Sequence, residues 1–272
     1  MSGTAQAGLF GYIVELFTGA KSPTNVPVVE AKKPKRQQPK PLPPKTKPTK
    51  PKPPAPEYRK ITNFAGKSFR VGEKIETPTG LKMKVVAKLE DGRRGRVVKA
   101  TDKSGRIAVL KIPIDRRADT LESIAKEMTK ISALEKYGIR HAKVYEQAED
   151  YLVKEYIDGQ RADEWLVDWE KKGSPTNTPE VRALLRFFRE AAAKGIYIGD
   201  LNRKNMIFDG SEWVVIDSGG VKKRSPEIAA AEYRDKMVEK WSRSFRHLDD
   251  GLNEKACGVL QNLLDKGLKS IK

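Results

Sequence analysis

"YIGDLNRKN" (197–205) and, shortly after it, "VVIDSGG" (214–220) decide how this chain is read. The first stretch carries Asp200 and Asn205, and the second ends an apolar run on Asp217. A polar side chain beside buried strands costs free energy unless it has a partner. Three of them at fixed offsets point to a shared ligand. Two carboxylates and an amide are hard oxygen donors, so a metal ion carrying a phosphorylated nucleotide is the natural one.

Composition narrows the alternatives. The 272 residues suffice for one domain with two lobes and a tail, or for two small domains. The formal net charge is +18, and residues 1–60 hold twelve Lys and Arg against Glu15, Glu30 and Glu57. Half of the excess therefore sits in the first 60 positions. Such charge attracts nucleic acid, anionic lipid or acidic protein without defining a fold. Cys257 is the only cysteine, so no intrachain disulfide forms and a thiolate metal cluster is not expected. That suits a reducing cytosol, where the chain is made or where it is delivered. His141 and His247 are the only histidines and neither is near the opening motif, which sets aside histidine-based hydrolysis and zinc chemistry. No apolar run approaches the ~20 residues that span a bilayer, so an integral membrane protein is not expected. "GLFGYIVELFTG" (8–19) lacks the basic start and cleavage site of an export signal.

In that segment Leu9, Phe10, Ile13, Leu16 and Phe17 recur at helical spacing. Residues 31–60 then mix proline with mutually repelling lysines, which predicts a disordered, extended linker. It reads as a spacer, or as a basic arm for a membrane surface or an acidic partner. No aromatic residue interrupts 31–55, so specific nucleic-acid binding is not expected. The apolar face and basic run together also fit a two-signal membrane anchor, a chaperone-held export segment, or a helix that docks on the folded domain.

From residue 61 the texture changes. "LKMKVVAKL" (81–89), "GRVVKAT" (95–101) and "RIAVLKI" (106–112) predict three antiparallel strands, with "DKSG" turning the second hairpin. Residues 119–138 predict a helix that opens at Asp119 or Thr120, carries an apolar stripe through Ile124, Met128, Ile131 and Leu134, and stops at Gly138. Strands at 142–147 and 151–157 follow, then helices at 162–172 and 179–195. A short strand in "SEWVVID" and two helices near 226–248 and 252–270 complete the order. Met237, Trp241 and Phe245 recur at spacing four and are expected to pack that last region. The whole predicts an α+β, two-lobed fold: a five-stranded antiparallel lobe with one helix over 61–157, and a small helical lobe over 158–272. Ligands favour the cleft between two such lobes.

The residues that would line such a cleft can be named. Gly92, Gly95 and Val97 form a G-x-x-G-x-V pattern, which suits a close backbone approach to phosphates and equally a plain hairpin turn. Lys111 ends an apolar strand, where its ammonium needs a partner. Glu127 on the next helix could supply one, or both could face water.

Taken in order, the glycine hairpin, "VLK", the helix glutamate, "LVKEYIDG", "GDLNRKN" and "VIDSGG" resemble the protein-kinase-like superfamily over about residues 80–221. The resemblance is to its atypical and minimal members: the RIO-like and aminoglycoside-phosphotransferase-like branches and short bacterial effector kinases. It implies ATP with Mg2+, or Mn2+, as cofactor. Lys111 would hold the α/β-phosphates and pair with Glu127, and Gly92, Gly95 and Val97 would cover the phosphates. Asp200 would orient the attacking hydroxyl and accept its proton. Asn205 and Asp217 would bind the metal, and Glu155, Tyr156 and Ile157 would offer backbone groups to adenine.

Five departures stand out. Glu90 occupies the first glycine position, Ile198 the place of a histidine, and Asn202 that of a lysine, leaving the γ-phosphate to Arg203, Lys204 or a group elsewhere. Ser218 replaces a phenylalanine, and Lys154 takes the usually apolar gatekeeper position. After Gly220 the chain is too short for a full activation segment and peptide-docking platform, so switching by phosphorylation there is not expected. The expectation is a kinase acting on Ser or Thr of a protein, cytoplasmic or secreted into a host cell as an effector. Its alternatives are a small-molecule phosphotransferase and a nucleotide-binding pseudokinase.

Overall fold

The computed structural model describes residues 57–89, 92, 94–242 and 254–271. The expected N-terminal helix, the linker up to residue 56, Glu90, Phe245, His247 and the facing ends of the last two helices lie outside the described residues. Among the described residues no helix is long and apolar enough to cross a membrane.

The first structural layer is a curled sheet. In chain order it takes β1 (Arg59–Lys60), β2 (Lys74–Glu76), β3 (Lys82–Lys88), β4 (Gly95–Asp102), β5 (Ile107–Pro113), β6 (Val144–Ala148) and β7 (Tyr151–Glu155), with α1 (Ala118–Lys136) between β5 and β6. The spatial order is β1-β2-β3-β4-β5-β7-β6, with only the β1–β2 pair parallel. The five expected strands are β3 to β7. Two more join them at one edge, so the sheet has seven strands rather than five. Both additions are too short for period-2 patterning to register.

The last expected linker residues, Arg59 and Lys60, are β1, paired in register with Ile75 and Glu76. Several contacts hold them there. Arg59 forms a salt bridge with Glu73, the ammoniums of Lys74, Lys82 and Lys103 surround the Tyr58 ring, and Ile61 is buried. The segment that follows covers one face of the sheet: Phe64 and Phe69 pack with Ile75, Val85, Leu110, Tyr151 and Val153. A carboxylate oxygen of Asp150 accepts the Phe64 amide at 2.5 Å and the Ala65 amide at 3.4 Å, which ties this cover to the β6–β7 turn. On the opposite face α1 sets Ile124 and Ile131 against Leu152. Its start lies at Ala118, just ahead of the expected residues, and Asp115 anchors it by accepting the Thr120 hydroxyl at 2.7 Å and the Arg117 amide at 3.0 Å.

Beyond β7 come β8 (Gln160–Arg161), α2 (Ala162–Lys171), α3 (Pro179–Ala193), β9 (Ile196–Gly199), a 3-10 turn at Arg203–Asn205, β10 (Met206–Phe208), β11 (Trp213–Val215), β12 (Gly220–Lys223), α4 (Pro226–Ser242) and α5 (Glu254–Leu268). Each helix expected after residue 157 is present as far as the described residues reach. The short strands β8, β9, β10 and β12 were not expected, because two to four residues carry too little pattern. They form two small ladders, β11-β10-β8 and β12-β9. α3 begins where Thr178 accepts the Val181 amide at 3.3 Å ahead of Pro179, a favoured N-terminal pair. Its apolar face, with Leu184, Phe188 and Ala192, meets Tyr233, Met237 and Trp241 of α4 and Leu260, Leu264 and Leu268 of α5. Each fully buried aromatic or leucine there contributes about 1.5–3 kcal/mol of burial free energy. Met237 and Trp241 pack the interior as expected.

Candidate active site

Strand alternation aims the first group. Ala108, Leu110 and Ile112 of β5 enter the sheet core, so Lys111 and Val109 take the other face, the one α1 covers. Register sets Val97 opposite Lys111 and Lys154 opposite Val109, which brings all four to that face. α1 presents Glu127 to it.

The result is a four-membered charge cluster. Lys111 Nζ donates to Glu127 Oε2 at 2.5 Å and to Asp217 Oδ2 at 2.9 Å. Lys154 Nζ donates to Glu127 Oε1 at 2.5 Å and to the Ile216 carbonyl at 2.8 Å. Glu127 and Lys154 are only 4% and 5% exposed. Two cations and two carboxylates balance, which is what makes such burial tolerable. Burial works against the charge on Lys111, but the Glu127 and Asp217 carboxylates outweigh it and hold its pKa above the ordinary lysine value. Burial likewise works against Asp217, and Lys111 and Lys154 overcome it to hold that carboxyl below the usual range.

The second group sits on a loop. β9 ends at Gly199, and Asp200 turns into the left-handed region at φ +53, a conformation aspartate tolerates better than most side chains. Its carbonyl accepts the Asn202 amide at 2.7 Å and Asn205 Nδ2 at 2.9 Å, which pins the turn. Asn202 Oδ1 accepts the Lys204 amide at 2.9 Å and opens the 3-10 turn. With its Nδ2 so engaged, Asn205 has its amide oxygen left for a ligand. The ladder between β9 and β12 sets Gly220 opposite Gly199, so the Asp217 and Asp200 segments run side by side. α4 braces this loop from behind: Tyr233 Oη accepts the Ile198 amide at 3.1 Å and donates to the Ile196 carbonyl at 3.0 Å, and Trp241 Nε1 donates to the Leu201 carbonyl at 2.9 Å.

Between the two groups lies a cleft of about 420 Å³. Gly92, Val97, Lys111, Lys154, Glu155, Tyr156, Ile157, Lys204, Asn205 and Asp217 all line it. Gly95 instead starts β4 under the Ile112 carbonyl, 3.0 Å from where a Cβ would sit. Glu127 stands behind Lys111, and Asp200 is exposed at the rim. The Glu155 carboxylate is held by both terminal nitrogens of Arg140 at 3.0 and 3.2 Å and by the Lys143 amide at 3.1 Å. It therefore has only its backbone to offer a base. Of the two basic residues considered for the γ-phosphate, Arg203 is buried and Lys204 reaches the cleft. Among the described residues no three His, Cys, Asp or Glu cluster as a self-sufficient metal site. Asp217 and Asn205 supply two hard oxygens, which fits Mg2+ completed by phosphates and water.

Sequence reasoning missed the role of Lys154, which it took as a mere departure. A charged residue inside the apolar run "YLVKEY" was the same signal that marked Lys111. It also missed Tyr233 and Trp241, whose polar atoms reach backbone groups far away in sequence.

A lysine and a helix glutamate paired over a cleft, facing an Asp–Asn loop and a strand-end aspartate, define an atypical kinase-like, ATP-binding phosphotransferase fold. The family model for the RIO domain matches residues 83–249, more than half of the chain, and the chain belongs to that family, within the RIO-like atypical branch of the protein-kinase-like superfamily. No curated protein matches it.

Proposed function

We propose that this chain is an active Mg2+-dependent protein kinase that moves the γ-phosphate of ATP to a serine or threonine hydroxyl. The observation that carries this reading is the assembled Lys111–Glu127–Asp217 cluster, with the lysine ammonium 2.5 Å and 2.9 Å from the two carboxylates. Phosphoryl transfer needs mainly positioning and charge neutralisation, and this cluster is set up to provide both.

Glu127 orients Lys111, and the Lys111 ammonium binds the α/β-phosphates. Asn205 and Asp217 hold Mg2+, which when bound offsets phosphate charge. The backbone of Glu155, Tyr156 and Ile157 edges the adenine site, and Gly92 and Val97 cover the phosphates. Lys204 stabilises the γ-phosphate as charge moves onto the bridging oxygen. Asp200 orients the acceptor hydroxyl at the rim and takes its proton as the new P–O bond forms and the β–γ bridge breaks. The exposed position of Asp200 suits a large acceptor, which favours a protein over a small molecule.

The test is transfer from γ-labelled ATP with Mg2+, with and without cell lysate, beside Asp200→Asn and Asp217→Ala. Label on protein, lost in both variants, supports the reading. Label confined to small molecules would move it to a metabolite phosphotransferase. Nucleotide-dependent thermal stabilisation without any transfer would make it a pseudokinase.

A further inference from the structure

Lys154 has no part in the chemistry just described, yet it is among the most deeply buried charges in the described residues. Its ammonium lies one strand over from Lys111 and spans two elements. One hydrogen bond holds Glu127 of α1 at 2.5 Å, and another holds the Ile216 carbonyl, next to Asp217, at 2.8 Å. Glu127 in turn divides its oxygens, Oε1 to Lys154 and Oε2 to Lys111.

This division has a consequence when nucleotide arrives. Phosphates compete with Glu127 for Lys111. A glutamate with Lys111 as sole partner would lose part of its compensation while still buried, and α1 would be free to swing outward. Here the second oxygen stays neutralised by an ammonium on the opposite side of the carboxylate from Lys111. The same ammonium fastens the backbone that presents Asp217. One side chain therefore ties the helix glutamate to the metal-binding strand end, whether or not nucleotide is bound.

We propose that Lys154 is a positioning residue that locks Glu127 and the 216–217 segment in the assembled arrangement, so that the site is permanently formed rather than switched. The inference rests on the kinase reading above, and its test separates the two. Hydrogen exchange across α1 and residues 214–218 needs no catalysis and is measured on the full chain, with and without Mg2+ and a non-hydrolysable ATP analogue. In the wild type, protection of both segments is expected to be high and nearly unchanged by nucleotide. In Lys154→Met, where an apolar stem of similar length replaces the ammonium, both segments lose protection together and nucleotide restores it.

The kinetic counterpart is a double-mutant cycle with Glu127→Gln. Lys154→Met is expected to lower kcat roughly tenfold with a smaller change in KM for ATP, and to cost nothing further in the Glu127→Gln background. If Lys154→Met does not fold, the double variant, which removes the buried charges of both partners, is expected to fold and keep nucleotide binding. Unchanged exchange in Lys154→Met, or kinetic losses that simply add, would overturn the proposal. Absence of transfer in the wild type with the exchange pattern intact would overturn only the kinase reading.

Discussion

A Cβ built on Gly219 would lie 2.3 Å from the Cβ of Asp200, closer than two such atoms approach in real structures. The amide of Gly219 also donates to the Gly199 carbonyl at 2.9 Å, so the two segments cannot drift apart without losing a hydrogen bond. The first glycine of "DSGG" is thus the floor on which the rim aspartate rests.

Gly219→Ala should therefore push Asp200 out of line while leaving the cleft intact. A displacement of about 1 Å at a reacting group can cost on the order of 100-fold in rate. The expected outcome is a kcat reduced by about that factor, with KM for ATP little changed, in steady-state kinetics. Equal losses in both parameters would mean that the nucleotide site had been disturbed as well.

Tyr233→Phe removes one hydroxyl that serves two backbone groups of β9. Burial raises the Tyr233 pKa well above its ordinary value, so the group remains a neutral donor throughout the working range. Its loss leaves the Ile198 amide and Ile196 carbonyl short of a partner, at about 1–3 kcal/mol for a buried group left unsatisfied. Urea unfolding of the variant against wild type measures this directly. A change within a few tenths of a kcal/mol would show that water enters and replaces the hydroxyl.

Lys204→Ala distinguishes ground-state from transition-state binding. Removal of a preorganised charge aimed at the γ-phosphate is expected to lower kcat on the order of 100-fold. A rise in KM for ATP at constant kcat would assign Lys204 to nucleotide binding alone.

The charge cluster also sets a pH window. Asp217 is held below its ordinary value of 3.8, so its contribution to stability is present above that pH and is lost as pH falls through the lower folded-state value. Lys111 is held above its ordinary value of 10.5, so its contribution is full below that pH and is lost as pH rises through the higher folded-state value. Stability from these two groups should be flat between roughly those limits. Lys111→Met is expected to remove the alkaline dependence, as read from melting temperature in a series of buffers.

Much of this was legible beforehand, for identifiable reasons. Lys111, Asp200, Asn205 and Asp217 stood out because each is a costly polar group at the edge of an apolar run, and the cleft gathers three of them while Asp200 stands at its rim. Among the described residues, the longer strands and every helix announced themselves through period and punctuation. What stayed hidden was non-local or too brief to carry a pattern. The added strands β1 and β2 span two and three residues. Asp150 capping the Phe64 amide joins positions 86 apart, and Tyr233 reaching Ile198 joins positions 35 apart. Such pairs exist only once the chain has folded.

The aromatic cover laid over the sheet by Phe64 and Phe69 bears on where this protein can be cut. The family match starts at residue 83, downstream of both rings. A fragment trimmed to that match would keep every group named in the cleft and still expose the apolar underside formed by Val85, Leu110, Tyr151 and Val153. It would be sticky in solution and short-lived before proteases. The smallest piece worth expressing, or transplanting onto another protein, begins no later than Tyr58. The autonomous unit of folding is thus longer at its front than the unit of recognised ancestry.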